Sequence, residues 1–583
     1  MLTPQKGFNL NKRMKNQFLI LFLFCSVLSL SGQRLLEEKE NFTRQDTLRG
    51  SITPERIWWD LTSYHLAIEV IPNLKFISGN NTIRYTVLEE YQTLQIDLQA
   101  PLKITKVTQD GITLKVIDDG NAHFVQLLKK QKIGNTESIV VYYQGNPKEA
   151  IQAPWDGGFS WKKDKNGNHF IATSCQGLGA SVWWPCKDHM YDEVKNMKIS
   201  VTVPRNLMDV SNGKLEKIVD NGTTKTYHWS VDNPINNYGV NINIGDYTHF
   251  SEVYKGEKGN LDMDYYVLKY NLEKAKKQFT DAPKMMKAFE HWFGPYPFYE
   301  DGFKLVEVPY LGMEHQSSVT YGNQFKNGYL GRDLSGTGWG LKFDFIIIHE
   351  SGHEWFANNI TNKDIADMWI HESGHEWFAN SITNIDMADM WIHESFTAYS
   401  ENLFLDYHFG TEASNAYVTG TRKKIQNDRP IIGDYNVNSS GSSDMYYKGA
   451  NMLHTLRQII DNDEKWRSIL VGLNSNFYHQ TVSTQQIENY INNHIKIDLT
   501  AFFEQYLRTI KIPFLEYKLE NNDLSYRWSN VVDDFSIPIK VYLNATSHWI
   551  SPTSNWKKLA WNKNINTFSV DKNFYIQIEN KSN

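Results

Sequence analysis

Cysteine is scarce: three in 583 residues, with Cys25 inside an apolar leader. The remaining two thiols, Cys175 and Cys186, are too few for a disulfide-framed fold. Whether they pair or stay as buried thiols is open at this level. No basic run suggests nucleic acid, and 60 basic against 66 acidic side chains leave a net charge of −6. Long apolar runs are missing except at Phe18–Leu30, so no later segment is expected to span a bilayer. That run follows Lys12, Arg13 and Lys15 and precedes Ser31-Gly32-Gln33. A basic flank, a short apolar stretch and small residues make a signal peptide, expected over residues 1–33. Met14 offers a second start, and a retained signal anchor is the alternative. The protein is therefore expected to be exported, to the periplasm, the cell surface or the medium.

What is present points to large cores: 41% hydrophobic and 14% aromatic residues. The length allows three or four domains. Residues 50–254 alternate apolar and polar side chains between turn signals, as in HLAIEVI, NTIRYTVL and ESIVVYYQG, and read as a β domain. TSCQGLGASVWWPCKD, at 173–188, is too irregular for a plain strand. The period changes near Leu272, where LEKAKKQFTDAPKMMKAFEHWFG has helical spacing up to Gly294-Pro295. Residues 255–510 read as mainly helical, and 511–583 return to strands.

A tandem repeat lies inside the helical part. Residues 349–370 and 371–392 differ only at Asn359/Ser381, Lys363/Ile385 and Ile365/Met387. Each copy opens with His-Glu-x-x-His, and eighteen residues separate its second His from a Glu. Positions i and i+4 share a helix face, so two imidazoles there can hold one Zn²⁺, with the intervening Glu directed at a water. A third ligand from a following helix leaves one coordination position open. Three ligand sets compete. The first is His349, His353 and Glu372, with Glu350 as base. The second is His371, His375 and Glu394, with Glu372 as base. The third is His349, His353 and Glu394, with Glu350 as base and 22 residues looped out. The third is preferred, because it keeps FDFIII leading into the metal helix and keeps WIHESFTAYSENLFLDY intact as the helix of the third ligand. An insertion is tolerated best in a surface connection.

HESGHEWFAN…DMWIHESFTAYSE resembles the zinc aminopeptidases that include aminopeptidase N and leukotriene hydrolase. Leu311-Gly312-Met313-Glu314-His315 is similar to the family's Gly-x-Met-Glu-Asn element, with His315 in place of Asn. The resemblance implies that Gly312 and Met313 line the substrate and that Glu314 grips its α-amine. Thr173-Ser174-Cys175-Gln176 resembles the segment that places a Gln, here Gln176, beside that amine. Trp184-Pro185-Cys186-Lys187-Asp188 resembles the Pro-Cys-x-Asp that follows it. Met445-Tyr446-Tyr447-Lys448-Gly449 resembles the Tyr-x-Lys-Gly element, which makes Tyr446 the oxyanion donor, with Tyr447 the neighbouring alternative. The implied fold is multidomain α+β: an N-terminal β saddle, a thermolysin-like catalytic domain and a small C-terminal β domain. A large C-terminal helical domain, found in some relatives, is not expected. The implied activity is zinc-dependent hydrolysis of the first peptide bond of peptides with a free N-terminus, with one ion per chain. The alternative is a peptide-binding homologue disabled by the duplication. Epoxide hydrolysis, a branch of the same family, is selected by nothing in particular.

Overall fold

Alternation along the early segments produces broad sheets. The computed structural model describes residues 41–356, 381–520, 523–560 and 565–582. The leader expected over 1–33 and the residues His371, Glu372 and His375 lie outside them. Phe42–Asn583 form one compact unit. It opens with a short helix, α1 (Arg44–Gly50). Strand β1 (Trp59–Ile71) runs through the middle of an eight-stranded sheet, antiparallel to β2 (Phe76–Val87) and parallel to Asn196–Pro204. Leu66, Ile68 and Val70 of β1 share one face at period two and are buried, in register with Ile199 and Val201. A second sheet of four strands includes β3 (His169–Ser174), which delivers the chain to Gln176.

The boundary expected at residue 254 needs correction. β4 (Tyr247–Gly256) pairs along its length with β5 (Gly259–Leu268). Both belong to a five-stranded catalytic sheet with β6 (Phe303–Glu307), β7 (Gly312–Met313) and β8 (Val319–Tyr321), in which β7 is an edge strand. The chain therefore changes sheets between Gly245 and Tyr247. The alternation runs on unbroken when the chain changes sheets, so period alone cannot mark that point.

The segment expected as one helix ending at Gly294 is two. Leu272–Gln278 is followed by α2 (Asp281–Phe293). Pro283 has no N–H to donate to the carbonyl four residues back, so it fits only in the first turn of a new helix. Further on, α3 (Phe345–Gly352) is capped by Asp344, whose side chain accepts from the N–H groups of Ile346 and Ile347. The central helix α4 (Trp391–Phe409) is buried continuously from Trp391 to Leu405. It packs against α5 (Thr411–Thr421) and α6 (Tyr447–Ile460).

Two glycines set the spacing of these helices. A Cβ on Gly352 would lie 2.6 Å from Oγ of Ser400, and one on Gly449 would lie 1.9 Å from Oγ of Ser395. Both place a neighbouring helix so close to α4 that any side chain would overlap it. From Phe514 the chain forms a four-stranded and a three-stranded sheet. These are held to α6 by Tyr575 N–H donating to Oγ1 of Thr455, 2.9 Å. Cys175 and Cys186 are both free, buried thiols. Among the described residues no helix is long and apolar enough to cross a membrane. The architecture is multidomain α+β, with β domains flanking a mainly helical centre.

Candidate active site

Helix α3 presents His349 and ends at His353. The chain then continues to Phe356, whose ring stacks on Phe396 of α4 at 4.8 Å. Trp355 packs among Phe289, Phe293 and Tyr296, and its indole N–H donates to the carbonyl of Gly294. The first copy of the motif is thus built into the core. The described chain resumes with strand Ser381–Asn384, which belongs to the second copy, and leads into α4 with Glu394.

Ligand atoms of His349, His353 and Glu394 lie within 4.8 Å of one another, all three buried. The two histidine rings stand 82° apart, with centroids at 5.2 Å. Nδ1 of His349 meets Oε1 of Glu401 at 2.8 Å, and Nδ1 of His353 meets Oγ1 of Thr397 at 3.1 Å. That leaves Nε2 of each ring as the available ligand atom. Oε2 of Glu394 is buried, accepts no hydrogen bond among the described residues, and sits 3.6 Å from Nε2 of His353. A buried carboxylate oxygen without a donor is costly unless a cation covers it. Two imidazoles and a carboxylate with one open side form a donor set that fits zinc.

The electrostatics agree. Burial drives the pKa of His353 well below its usual value, so the ring is neutral and ready to bind metal. Burial also lowers His349, but the hydrogen bond and charge of Glu401, with Glu350 and Glu394, push it up to about 9. Glu394, Glu350 and Glu314 are all raised, first by burial and then by one another's charge for Glu350 and Glu394. Zinc needs His349 neutral and Glu394 ionised, so its binding displaces protons. Apparent zinc affinity is expected to rise with pH up to about 9, by roughly ten-fold per unit for each proton released. Competitive chelator titrations at several pH values measure this, and a flat profile would contradict it.

The remaining expected residues gather at the same place. Glu314, buried at the end of β7, accepts from Nε2 of Gln176 at 2.5 Å. Gln176 also reaches Glu394, at 3.4 Å. Glu314, Glu350 and His353 form a second group with ligand atoms within 4.8 Å. Gly312 makes room for Glu350: a Cβ there would come within 3.0 Å of Oε1. Met313 is buried in a small cluster with Tyr310, Val308 and Ala172. Tyr446 stacks near His349 at 6.2 Å, close enough for the charge of Glu394 to raise its pKa further after burial. Tyr447 instead lies near Glu401 and Tyr329, away from Glu394. His315 is buried, with Nδ1 near Oγ1 of Thr320 at 3.4 Å.

Some functional residues escaped the sequence reading. Thr397 and Glu401 follow Glu394 at i+3 and i+7 on α4, so one helix face carries Glu394 and the hydrogen-bond partners of both histidines. Tyr417 of α5 donates to the other oxygen of Glu401 at 2.5 Å. Tyr238 feels the charge of Glu314 from within what reads as an ordinary strand. Glu401→Gln should weaken zinc binding by ~10–100-fold, because the ring of His349 loses its anionic partner. The same chelator competition checks it, with the unfolding temperature of the metal-free protein as the control for folding.

Comparison with known proteins follows the same lines. The Peptidase M1 N-terminal domain matches residues 61–238, and the Peptidase family M1 domain matches 362–506. The second match begins past the first His-Glu-x-x-His and runs through the second copy, whereas the histidines beside Glu394 belong to the first. A probable aminopeptidase 1 from Sulfurisphaera tokodaii is 22% identical over 85% of this chain and 62% of its own length. Leukotriene A-4 hydrolase from Xenopus laevis is 22% identical over 60% of this chain and 54% of its own. The chain thus spans less than two thirds of the length of these curated relatives. Among solved structures, a mutant M1 zinc metallopeptidase from Deinococcus radiodurans bound to a Tyr-Ser-Ala substrate has the same fold. Its TM-score is 0.63 at 18% identity, covering 80% of this chain and 98% of that one. With both family domains matched in order, the chain resembles peptidase family M1 over residues 61–238 and 362–506.

Proposed function

We propose that the protein is an exported aminopeptidase that binds one zinc ion through His349, His353 and Glu394 and removes residues from peptide N-termini. The observation that carries this reading is the meeting of an amine anchor, a base and a metal donor set around His353. Zinc, when bound, supplies Lewis-acid activation of a water and of the scissile carbonyl. The chain's own residues do the rest. Glu314 and Gln176 hold the substrate's ammonium, so only a free N-terminus fits. Glu350 takes a proton from the attacking water and returns it to the departing amine as the C–N bond breaks. Tyr446 donates its O–H to the developing oxyanion, a contribution of about 10²–10³ in rate for such donors.

The match that begins at residue 362 favours the second copy as the ligand source. The capped and buried helix α3 favours the first, and the first is the reading adopted. Peptides are the partners proposed, with the catalytic domain reaching to about residue 510. The leader composition at 1–33 supports export, and N-terminal sequencing of protein recovered outside the cytoplasm, starting near Gln33, tests it.

Purified protein is expected to hydrolyse amino-acid anilides, to lose that activity with a chelator, and to regain it at one zinc per chain. No hydrolysis at full zinc occupancy would refute the peptidase. A zinc-free protein that still binds peptides through Glu314 would fit the impaired homologue instead.

A further inference from the structure

We propose that Arg49 of α1 and Asn438 are positioning residues for the amine site: together they hold the carbonyl of Gly177 and so fix where Gln176 meets the substrate's ammonium. The proposal rests on the peptidase reading. Arg49 precedes residue 61, where the match to the N-terminal domain begins, so this support comes from outside the matched domain.

Gln176 stands on a turn that glycine leaves loose. Strand β3 ends at Ser174, and Gly177 and Gly179 hold φ of 71° and 90°. Glycine enters that region without strain and is equally free to leave it. Within the turn, Leu178 N–H donates to the Gln176 carbonyl at 2.8 Å and Gly179 N–H to that of Cys175 at 2.7 Å. Neither bond uses the Gly177 carbonyl. The β domain holds the next residue, with Nε2 of Gln99 on the Leu178 carbonyl at 2.7 Å. Gly177 is therefore the link that depends on donors from elsewhere. A cavity of about 40 Å³ lies beside Gln176, so packing does not fix the side chain on that side. Its placement still has to be close. Nε2 of Gln176 spans Glu314 at 2.5 Å and Glu394 at 3.4 Å, which leaves its Oε1 to accept from an ammonium.

Both outside donors reach that carbonyl from anchored elements. Nη2 of Arg49 and Nδ2 of Asn438 each lie 3.1 Å from it. Helix α1 is tied at both ends: Nε2 of Gln45 donates to Asp119 at 3.0 Å, and the buried Arg56 donates to the Arg49 carbonyl at 3.0 Å. Asn438 belongs to a loop fastened to the segment that enters α4. Gly433 N–H donates to the Ala388 carbonyl at 3.0 Å, and Asn436 N–H donates to Asp386 at 2.8 Å. That segment leads directly to Glu394. The helix and the loop also touch, since a Cβ on Gly50 would lie 2.2 Å from the backbone nitrogen of Asn438. Gly177 is thus where α1, the amine site and the approach to the metal helix meet. A carbonyl oxygen takes two donors, so removing one leaves the other and the loss is partial.

The test uses zinc-loaded Glu350→Gln protein, which should bind without cutting, and one labelled pentapeptide in two forms, with a free and with an acetylated N-terminus. Fluorescence anisotropy should show the free amine bound more tightly by about ten-fold or better. Arg49→Met keeps the apolar stem and removes the donor, and should lower that ratio by about five-fold, with the acetylated peptide unaffected within about two-fold. Gln176→Ala should lower the ratio as well. Adding Arg49→Met to Gln176→Ala should then change it by less than about two-fold, because a positioning residue acts only through the group it positions. A ratio that Arg49→Met does not move overturns the assignment. So does an equal further fall in the Gln176→Ala background, or a parent protein that does not distinguish the two peptides. Asn438→Ala carries the same comparison if Arg49→Met does not fold. Cleavage is read separately in the unmodified protein. A ratio that falls as expected without any cleavage overturns the peptidase reading and leaves the role of Arg49; cleavage with an unmoved ratio does the reverse.

Discussion

Alanine in place of His353 is expected to abolish stoichiometric zinc and to lower kcat/KM by about 10³-fold, while alanine in place of His375 leaves both within about three-fold. The two substitutions are chemically identical and fall in copies of one motif, so the contrast reports only which copy is built into the core. The first copy is entered from Phe343 and Asp344, both buried, and Asp344 caps the helix while also accepting from the Tyr321 hydroxyl. Ile346, Ile347 and Ile348 are buried behind it. The reverse outcome, with loss only in the His375 variant, would mean that the family match from residue 362 traces the working site. Removing residues 357–378 joins Phe356 to Ala379 and leaves a single motif. That protein should keep its zinc and its activity, because the half-sites now in use come from either side of the excised stretch. Inductively coupled plasma mass spectrometry and anilide hydrolysis, run on all three proteins, read the result.

Much of this was legible because the site is written in short motifs whose chemistry fixes their spacing. Glu314, Gln176 and Tyr446 were each named from the resemblance of a few flanking residues to family motifs, and the fold brings these three segments close to Glu394. The layout of β domain, helical centre and β tail followed from hydrophobic period. The boundary at residue 254 failed because the hairpin around it keeps the same alternation on either side of a change of sheet. The segment with helical spacing up to Gly294 divides in two because Pro283 has no N–H for the carbonyl four residues back and so sits in the first turn of a new helix. Thr397 and Glu401 carried a readable signal, the i+3 and i+7 positions after Glu394, that matters only once Glu394 is taken as a ligand. Tyr238 and Tyr329 carried none. Each reaches the site through tertiary packing, from a strand-like run and a glycine-rich loop whose local patterns are ordinary. Three ligand sets were equally consistent with the repeat's spacing. The described residues bring His349, His353 and Glu394 together, while His371, Glu372 and His375 of the other two sets lie outside them.

Glu350→Gln should reduce kcat by about 10³-fold with zinc content unchanged and KM within a few-fold. The amide has the same shape as the carboxylate, so it fits the space left by Gly312 and keeps the packing of α3. What it loses is the capacity to take a proton. Burial, followed by the charges of Glu314 and Glu394, raises the Glu350 pKa from the usual carboxylate range, which brings it closer to the pKa of the water it must deprotonate. Glu314→Gln provides the contrast. Glu314 meets an ammonium that is charged throughout the reaction, so its interaction is made equally in ground state and transition state, and its loss should appear mainly in KM. Steady-state kinetics on one anilide series separates the two. A Glu350→Gln enzyme that kept kcat within ten-fold would remove Glu350 from the chemistry and return the base to another carboxylate of the cluster. A Glu314→Gln enzyme that lost kcat with KM intact would place Glu314 in the bond-breaking step rather than in the grip on the amine.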